Sequence, residues 1–244
     1  MRTIFIADAH LVSPDDNNYR LLLRFLNELE GELDTLYILG DLFDFWLGFR
    51  SHSLPQYDAV LDALERLVHR GSRLVYYEGN HDFHLGTVFS QRLNAVIHAG
   101  PSTESVQGKR LYVCHGDQIN KDDRLYRLLR FLLRTRVVAA GVGHFSPVWA
   151  QKIRECLQKR SRAGYRAKTA RWNYRRIILD FARSLQKKGY DGLVTGHFHL
   201  ALREDLNETP FTVLSLGDWM EQFTYGEMVH GELRLKSYST HPVT

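Results

Sequence analysis

The chain has 244 residues, 44% of them hydrophobic and 25% charged, with a mean hydropathy of −0.32. These values exclude a disordered or membrane-spanning chain and leave room for one α/β domain carrying a sizeable insertion. The formal net charge of +4 conceals an asymmetry: residues 120–190 hold 19 of the 32 Lys and Arg against four acids, so this segment carries +15 and the remainder −11.

In chain order, short runs rich in Val, Ile, Leu and Tyr at 3–7, 36–39, 74–77, 111–114 and 193–195 predict buried strands. No apolar signal segment precedes the first run, which predicts a reducing, cytoplasmic setting. Cys114 and Cys156 are too few and too far apart for a disulfide framework or a thiolate zinc site. Between the first three runs, 19–29 and 57–69 place leucines at three- and four-residue spacing, as helices with one core-facing side require. The β-α-β-α-β order predicts a largely parallel sheet covered by helices, an architecture whose ligands gather outside the carboxyl ends of the strands.

Beyond Asp117 the pattern changes. Leu125, Leu128, Leu129, Leu132 and Leu133 share one helical face, with Arg124, Arg127, Arg130 and Arg134 largely opposite. We therefore expect a basic helical insertion, or cap, at 120–188, set into a core formed by 1–119 and 189–244. Its apolar middle, 137–149, is interrupted by His144 and is too short to span a bilayer. Strands are expected again at 212–216, 228–229 and 233–238, closing the sheet with antiparallel hairpins.

Five motifs follow these strands: Asp8-Ala9-His10, Gly40-Asp41-Leu42-Phe43-Asp44, Gly79-Asn80-His81-Asp82, His115-Gly116-Asp117 and Gly196-His197-Phe198-His199. Asp8 and His10 are two residues apart, so an extended backbone would aim both side chains at one cation. Alone, such a triplet reads as an ordinary polar loop. Gly40 allows a sharp turn that brings Asp41 to the sheet edge, where a carboxylate can bridge two cations. Asn80 offers a neutral oxygen, which admits a second metal without another negative charge. His115, His197 and His199 add three imidazoles. The motifs thus hold five of the chain's 12 histidines. A dinuclear centre needs this inventory of imidazole nitrogens, carboxylate oxygens and one bridging anion.

The ordered set resembles the calcineurin-like metallophosphoesterase superfamily from Asp8 to His199. The resemblance implies an α/β fold with a β-sandwich core and flanking helices. It assigns Asp8, His10, Asp41 and His199 to one metal and Asp41, Asn80, His115 and His197 to the other. Mixed oxygen and imidazole donors suit Mn²⁺, Fe or Zn²⁺, and Mn²⁺ is the expected ion at both positions. Two such cations about 3.5 to 4 Å apart would promote in-line attack of water on phosphorus. His81 is expected to stabilise phosphate oxygens or protonate the leaving group, oriented by Asp44. Asp82 and Asp117 are expected to support the ligands rather than bind metal.

Within the superfamily, chain length, the Asp41 and Asn80 contexts and the insertion resemble the UDP-2,3-diacylglucosamine hydrolases of lipid A biosynthesis. That resemblance implies cleavage of a pyrophosphate in an acylated nucleotide sugar, with Asn80, His81, Asp123, Ser161, Tyr165, Lys168 and His197 contacting substrate. This chain has His81 where the family generally has Arg, and Tyr165 where it commonly has Asn. The basic amphipathic helix would also suit peripheral contact with the cytoplasmic face of the inner membrane, although its leucine stripe could equally pack on the parent domain. Two other readings use the same residues. A broader phosphodiesterase would share the metal site, whereas a nuclease would use Tyr165, Trp172 and Tyr174 among Arg166, Arg171, Arg175 and Arg176 as a stacking, phosphate-tracking surface.

Overall fold

The computed structural model of the chain describes residues 2–47, 54–133, 135, 171–207 and 210–238. Strands β1 (Arg2–Ile6), β2 (Thr35–Ile38), β3 (Trp46–Leu47), β4 (Arg73–Tyr77), β5 (Asp82–Phe83), β6 (Val96–His98), β7 (Ser102–Val106) and β8 (Lys109–Cys114) occupy the first half. Strands β9 (Gly192–Thr195), β10 (Ala201–Leu206), β11 (Phe211–Leu216), β12 (Thr224–Val229) and β13 (Glu232–Ser237) follow. The helices are α1 (Asn17–Glu28), α2 (Asp58–His69), α3 (Arg124–Leu133) and α4 (Tyr174–Gln186).

The strands make two main sheets, ordered β13-β12-β1-β2-β4-β6 and β10-β11-β9-β8-β7, and a small β3-β5 pair. In the first sheet, β1, β2, β4 and β6 are parallel, and the β12-β13 hairpin joins antiparallel beside β1. In the second, β8, β9 and β11 are parallel, with antiparallel edges at β7 and β10. This corrects the expectation of one sheet closed by hairpins: β12-β13 extends the first sheet, but β11 sits parallel to β9 in the second. The reason is burial on both faces. Leu193 and Val213 face α4, while Val194 and Leu214 face the other sheet, so these strands need cover on both sides.

The same alternation runs through the first sheet. Ile4 and Ile6 pack with Leu22, Phe25 and Leu26 of α1 and Leu61 and Leu64 of α2, while Phe5 and Ala7 pack against Val113, Val194 and Leu214. Each fully buried side chain of this size contributes about 1.5–3 kcal/mol, so a strand apolar on both faces is stabilised once in each layer. Helix α4 covers the outer face of the second sheet through Ile178, Leu179, Ala182 and Leu185. The product is a helix–sheet–sheet–helix α/β sandwich. Residues 137–149, together with most of the 120–188 segment, lie outside the described residues.

Candidate metal centre

The loops that leave β1, β2, β4, β8 and β9 meet at one rim of the sandwich. Asp8 (φ 54°), His10 (45°), Asp41 (53°), His197 (70°) and His199 (49°) all adopt the left-handed region. That region is uncommon for residues with a Cβ and costs on the order of 1–3 kcal/mol unless the surroundings hold it. Asp8 and His10 are therefore not extended, as the two-residue spacing suggested. Each is turned inward by long-range bonds: Asp8 N donates to Gly40 O (3.1 Å), His10 N to Asp41 O (2.9 Å), and Trp219 N to Asp8 O (3.1 Å).

Asp82 ties two of the loops together. Its Oδ1 accepts from Asp41 N (2.9 Å) and Gly79 N (3.0 Å), and its Oδ2 accepts from Leu42 N (2.7 Å) and the Tyr76 hydroxyl (2.5 Å). The loops then approach so closely that neither glycine can carry a side chain. A Cβ on Gly40, itself at φ +83°, would lie 2.7 Å from Gly79 Cα, and one on Gly79 would lie 2.0 Å from Asp41 Oδ1.

Two clusters result, and they share Asp8 and Asp41. In the first, His10 Nε2 lies 3.9 Å from Asp8 Oδ1 and 3.7 Å from Asp41 Oδ2, and His199 Nε2 lies 3.6 Å from Asp8 Oδ1. In the second, His115 Nε2 lies 3.6 Å from Asp41 Oδ2 and 3.1 Å from Asn80 Oδ1, with the His197 ring centred 5.0 Å from that of His115. Potential donor atoms of Asp8, His10 and His199, and separately of Asp8, Asp41 and His115, lie within 4.8 Å of one another. A third such group is His10, Asp44 and His81.

The donors fit divalent cations. Asp8 Oδ2 accepts His197 N (2.7 Å), but Asp8 Oδ1 and His10 Nε2 are buried with no hydrogen-bond partner. Buried polar atoms without partners are rare and costly, and a cation between them would satisfy both. His115 Nδ1 donates to Leu39 O (2.6 Å), which leaves Nε2 facing the centre, the orientation that metal-binding histidines usually show.

The electrostatics agree. Burial favours neutral Asp41, but His115, His81 and His10 override it and hold its carboxyl well below the usual range. Burial opposes the His115 imidazolium, yet Asp41 and Asp8 lift its pKa to about 9. Burial, reinforced by His115, lowers His197 to about 3, and burial and His81 keep His10 well below its ordinary value. Burial raises Asp8 despite the opposing pull of His115. The carboxylates thus favour the protonated form of His115, and metal binding through that ring would release its proton.

His81 stands at the edge of the first cluster, its ring 4.7 Å from that of His10. Its Nδ1 lies 2.8 Å from the backbone carbonyl of Asp44. A carbonyl can only accept, so Nδ1 carries the hydrogen and Nε2 is the nitrogen left for other contacts. This orienting contact runs through the Asp44 main chain, with an Asp44 carboxylate oxygen within 4.8 Å of a His81 ring nitrogen.

Asp82 and Asp117 are buried beside the centre. Asp123 immediately precedes α3, its carbonyl accepting from Arg127 N (3.1 Å). Ser161, Tyr165, Lys168 and Arg166 lie outside the described residues. Of the basic residues near α4, Arg175 pairs with Glu204 and Arg176 with Asp180. Sequence reasoning missed Asp218, a buried residue whose Oδ2 lies 3.9 Å from His199 Nδ1 and whose Oδ1 caps the turn at Met220 and Glu221. Gly217-Asp218 follows β11 just as Gly40-Asp41 follows β2, and that repeat is the signal that could have revealed it.

A family model described as calcineurin-like phosphoesterase matches residues 1–201. The chain belongs to that family. Calcineurin-like phosphoesterases use a dinuclear metal site, and the chemistry is metal-dependent hydrolysis of phosphorus esters. Among curated calcineurin-like relatives, a Stenotrophomonas maltophilia protein is 34% identical over 235 residues, spanning 91% of this chain and 92% of its own. An Aeromonas salmonicida protein is 30% identical over 252 residues, spanning 97% and 93%. A Pseudomonas aeruginosa protein is 29% identical over 229 residues, spanning 91% and 92%. All three are named UDP-2,3-diacylglucosamine hydrolase.

Proposed function

We propose that this phosphoesterase hydrolyses the pyrophosphate bond of UDP-2,3-diacylglucosamine, giving UMP and 2,3-diacylglucosamine 1-phosphate in lipid A biosynthesis. The observation that carries the catalytic part is the buried convergence of Asp8, His10, Asp41, His115 and His199, with Asp8 Oδ1 and His10 Nε2 lacking partners. The relatives' shared name supports the substrate.

In this reading Asp8, His10, Asp41 and His199 hold one divalent ion and Asp41, Asn80, His115 and His197 the other, with Mn²⁺ the preferred metal. When bound, the pair supplies Lewis-acid activation of water and of the phosphoryl oxygens. The chain's own groups do the rest. Asp41 Oδ2 lies between the imidazoles of His10 and His115, so a single carboxylate serves both positions. His81 presents Nε2 to the substrate, donating to a phosphate oxygen or protonating the departing sugar phosphate. Asp82 fixes the Asp41 and Gly79 loops without touching substrate.

We assign residues 120–188 to substrate and peripheral membrane contact, with Asp123, Ser161, Tyr165 and Lys168 as the candidate contacts. Leu128, Phe131 and Leu132 of α3 are 56%, 70% and 51% exposed, an apolar surface suited to acyl chains or a bilayer interface. Among the described residues, no helix is long and apolar enough to cross a membrane.

The test is a comparison of substrates. Protein reconstituted with Mn²⁺ is given acylated UDP-glucosamine, bis(p-nitrophenyl) phosphate and single-stranded DNA. Fastest turnover of the acylated sugar nucleotide, with UMP as product, supports the proposal. Preference for the small diester would move the assignment to a broader phosphodiesterase, and preference for DNA to a nuclease.

A further inference from the structure

The insertion leaves the core directly after the His115-Gly116-Asp117 loop, and its first helix folds back onto that loop. Asp117 is buried, its side chain 1% exposed, and it accepts from Arg130 Nε at 2.5 Å; the Arg130 side chain is 22% exposed. The segment between them, 117–130, is thus closed at its two ends by one ion pair. Asp117 also lies close enough to His115 and His197 for its negative charge to favour the protonated form of both imidazoles. One carboxylate therefore borders the candidate metal centre on one side and receives the insertion's guanidinium on the other.

Helix α4 is bound by apolar burial, with Ile178, Leu179, Ala182 and Leu185 packed on β9 and β11. On α3, Arg127, Leu128, Phe131 and Leu132 are exposed, whereas the Arg130 side chain is drawn onto Asp117. A buried carboxylate demands a partner. Moving α3 away would take the Arg130 guanidinium from Asp117 beside the candidate metal centre, so part of the cost of that motion is borne at the site itself.

We propose that Arg130 is a positioning residue: through Asp117 it fastens α3, and with it the acyl-bearing end of the substrate, to the catalytic loop. The proposal rests on the reading that 120–188 contacts substrate. It ties the placement of α3 to the active-site loop, and it separates productive binding of a lipid substrate from hydrolysis of a small ester.

Three measurements on the full chain test it. Hydrogen exchange of the metal-free protein should show the amides of 124–133 exchanging about tenfold faster in Arg130→Ala, with those of 174–186 unchanged. In the Mn²⁺ enzyme, Arg130→Ala should raise KM for acylated UDP-glucosamine about tenfold at nearly constant kcat, while turnover of bis(p-nitrophenyl) phosphate stays within twofold. Arg130→Lys should recover part of both effects. Unchanged exchange in α3, or an equal loss of kcat on both substrates, would overturn the proposal. If the wild-type protein ignores the acylated substrate, the functional assignment fails while hydrogen exchange still decides whether the fastening exists.

Discussion

Replacing Gly79 by alanine perturbs the centre through one methyl group. The added Cβ would lie 2.0 Å from Asp41 Oδ1 and 2.6 Å from Asp41 N, whereas ordinary contact begins near 3.4 Å. The Asp41 carboxylate must then retreat by roughly 1.4 Å, and the backbone contact prevents relief by side-chain rotation alone. A displacement of about 1 Å in a catalytic constellation costs on the order of 100-fold, so kcat/KM should fall by at least that factor, or about 2.7 kcal/mol. Gly79 is not in the left-handed region, so the substitution carries no φ penalty and its stability cost should stay near the 1–3 kcal/mol of overpacking. The control is Gly100→Ala, where the new methyl meets nothing within 4 Å. Metal content by elemental analysis, turnover of bis(p-nitrophenyl) phosphate and urea unfolding report the three quantities. A Gly79→Ala protein that retains two equivalents of metal and turns over within threefold of wild type would refute the claim that this loop contact sets Asp41.

Three further outcomes are expected. Asp82→Asn keeps the side chain's shape but replaces one accepting oxygen by an NH2 donor facing backbone N–H or Tyr76 O–H donors, so urea denaturation should show a loss of about 2–4 kcal/mol; unchanged stability would count against the cradle. His81→Ala should lower kcat about 100-fold or more, while Asp44→Asn should cost less than tenfold because the Asp44 carbonyl orients the ring; equal losses would return the orienting role to the carboxylate. Glu227 is held below its ordinary value of 4.5 by Lys236 and Arg2, which outweigh burial. Its folded pKa is depressed, so its contribution is present above pH 4.5 and lost as pH falls through the folded value. Glu227→Gln should flatten the stability profile as pH falls below about 4.5, and an unchanged slope there would contradict it.

Much of the candidate site was legible because metal chemistry restricts residue type. Asp8, His10, Asp41, Asn80, His115, His197 and His199 could be singled out since each follows a buried strand, and parallel strands bring their ends to one rim. The strands themselves were readable where both faces are buried: β1, β2, β4, β8 and β9 appear as short unbroken apolar runs. Strands β7 and β10 escaped notice because they are sheet edges, half exposed and rich in Ser, Thr, Glu, Arg and Asp, and such sequences read as loops.

By itself, the order of residues determined the donor inventory, the positions of the central strands and the charge contrast between residues 120–190 and the rest of the chain, all of which depend on local composition and short-range period. The tertiary structure decided what depends on distant groups meeting. It divided the strands between two sheets and turned Asp8 and His10 into left-handed backbone held by Gly40 and Asp41. It brought Asp218 beside His199 and set the Arg130 guanidinium on Asp117. Sequence spacing cannot encode these contacts, because each is stable only when a buried polar group finds its partner across the folded chain.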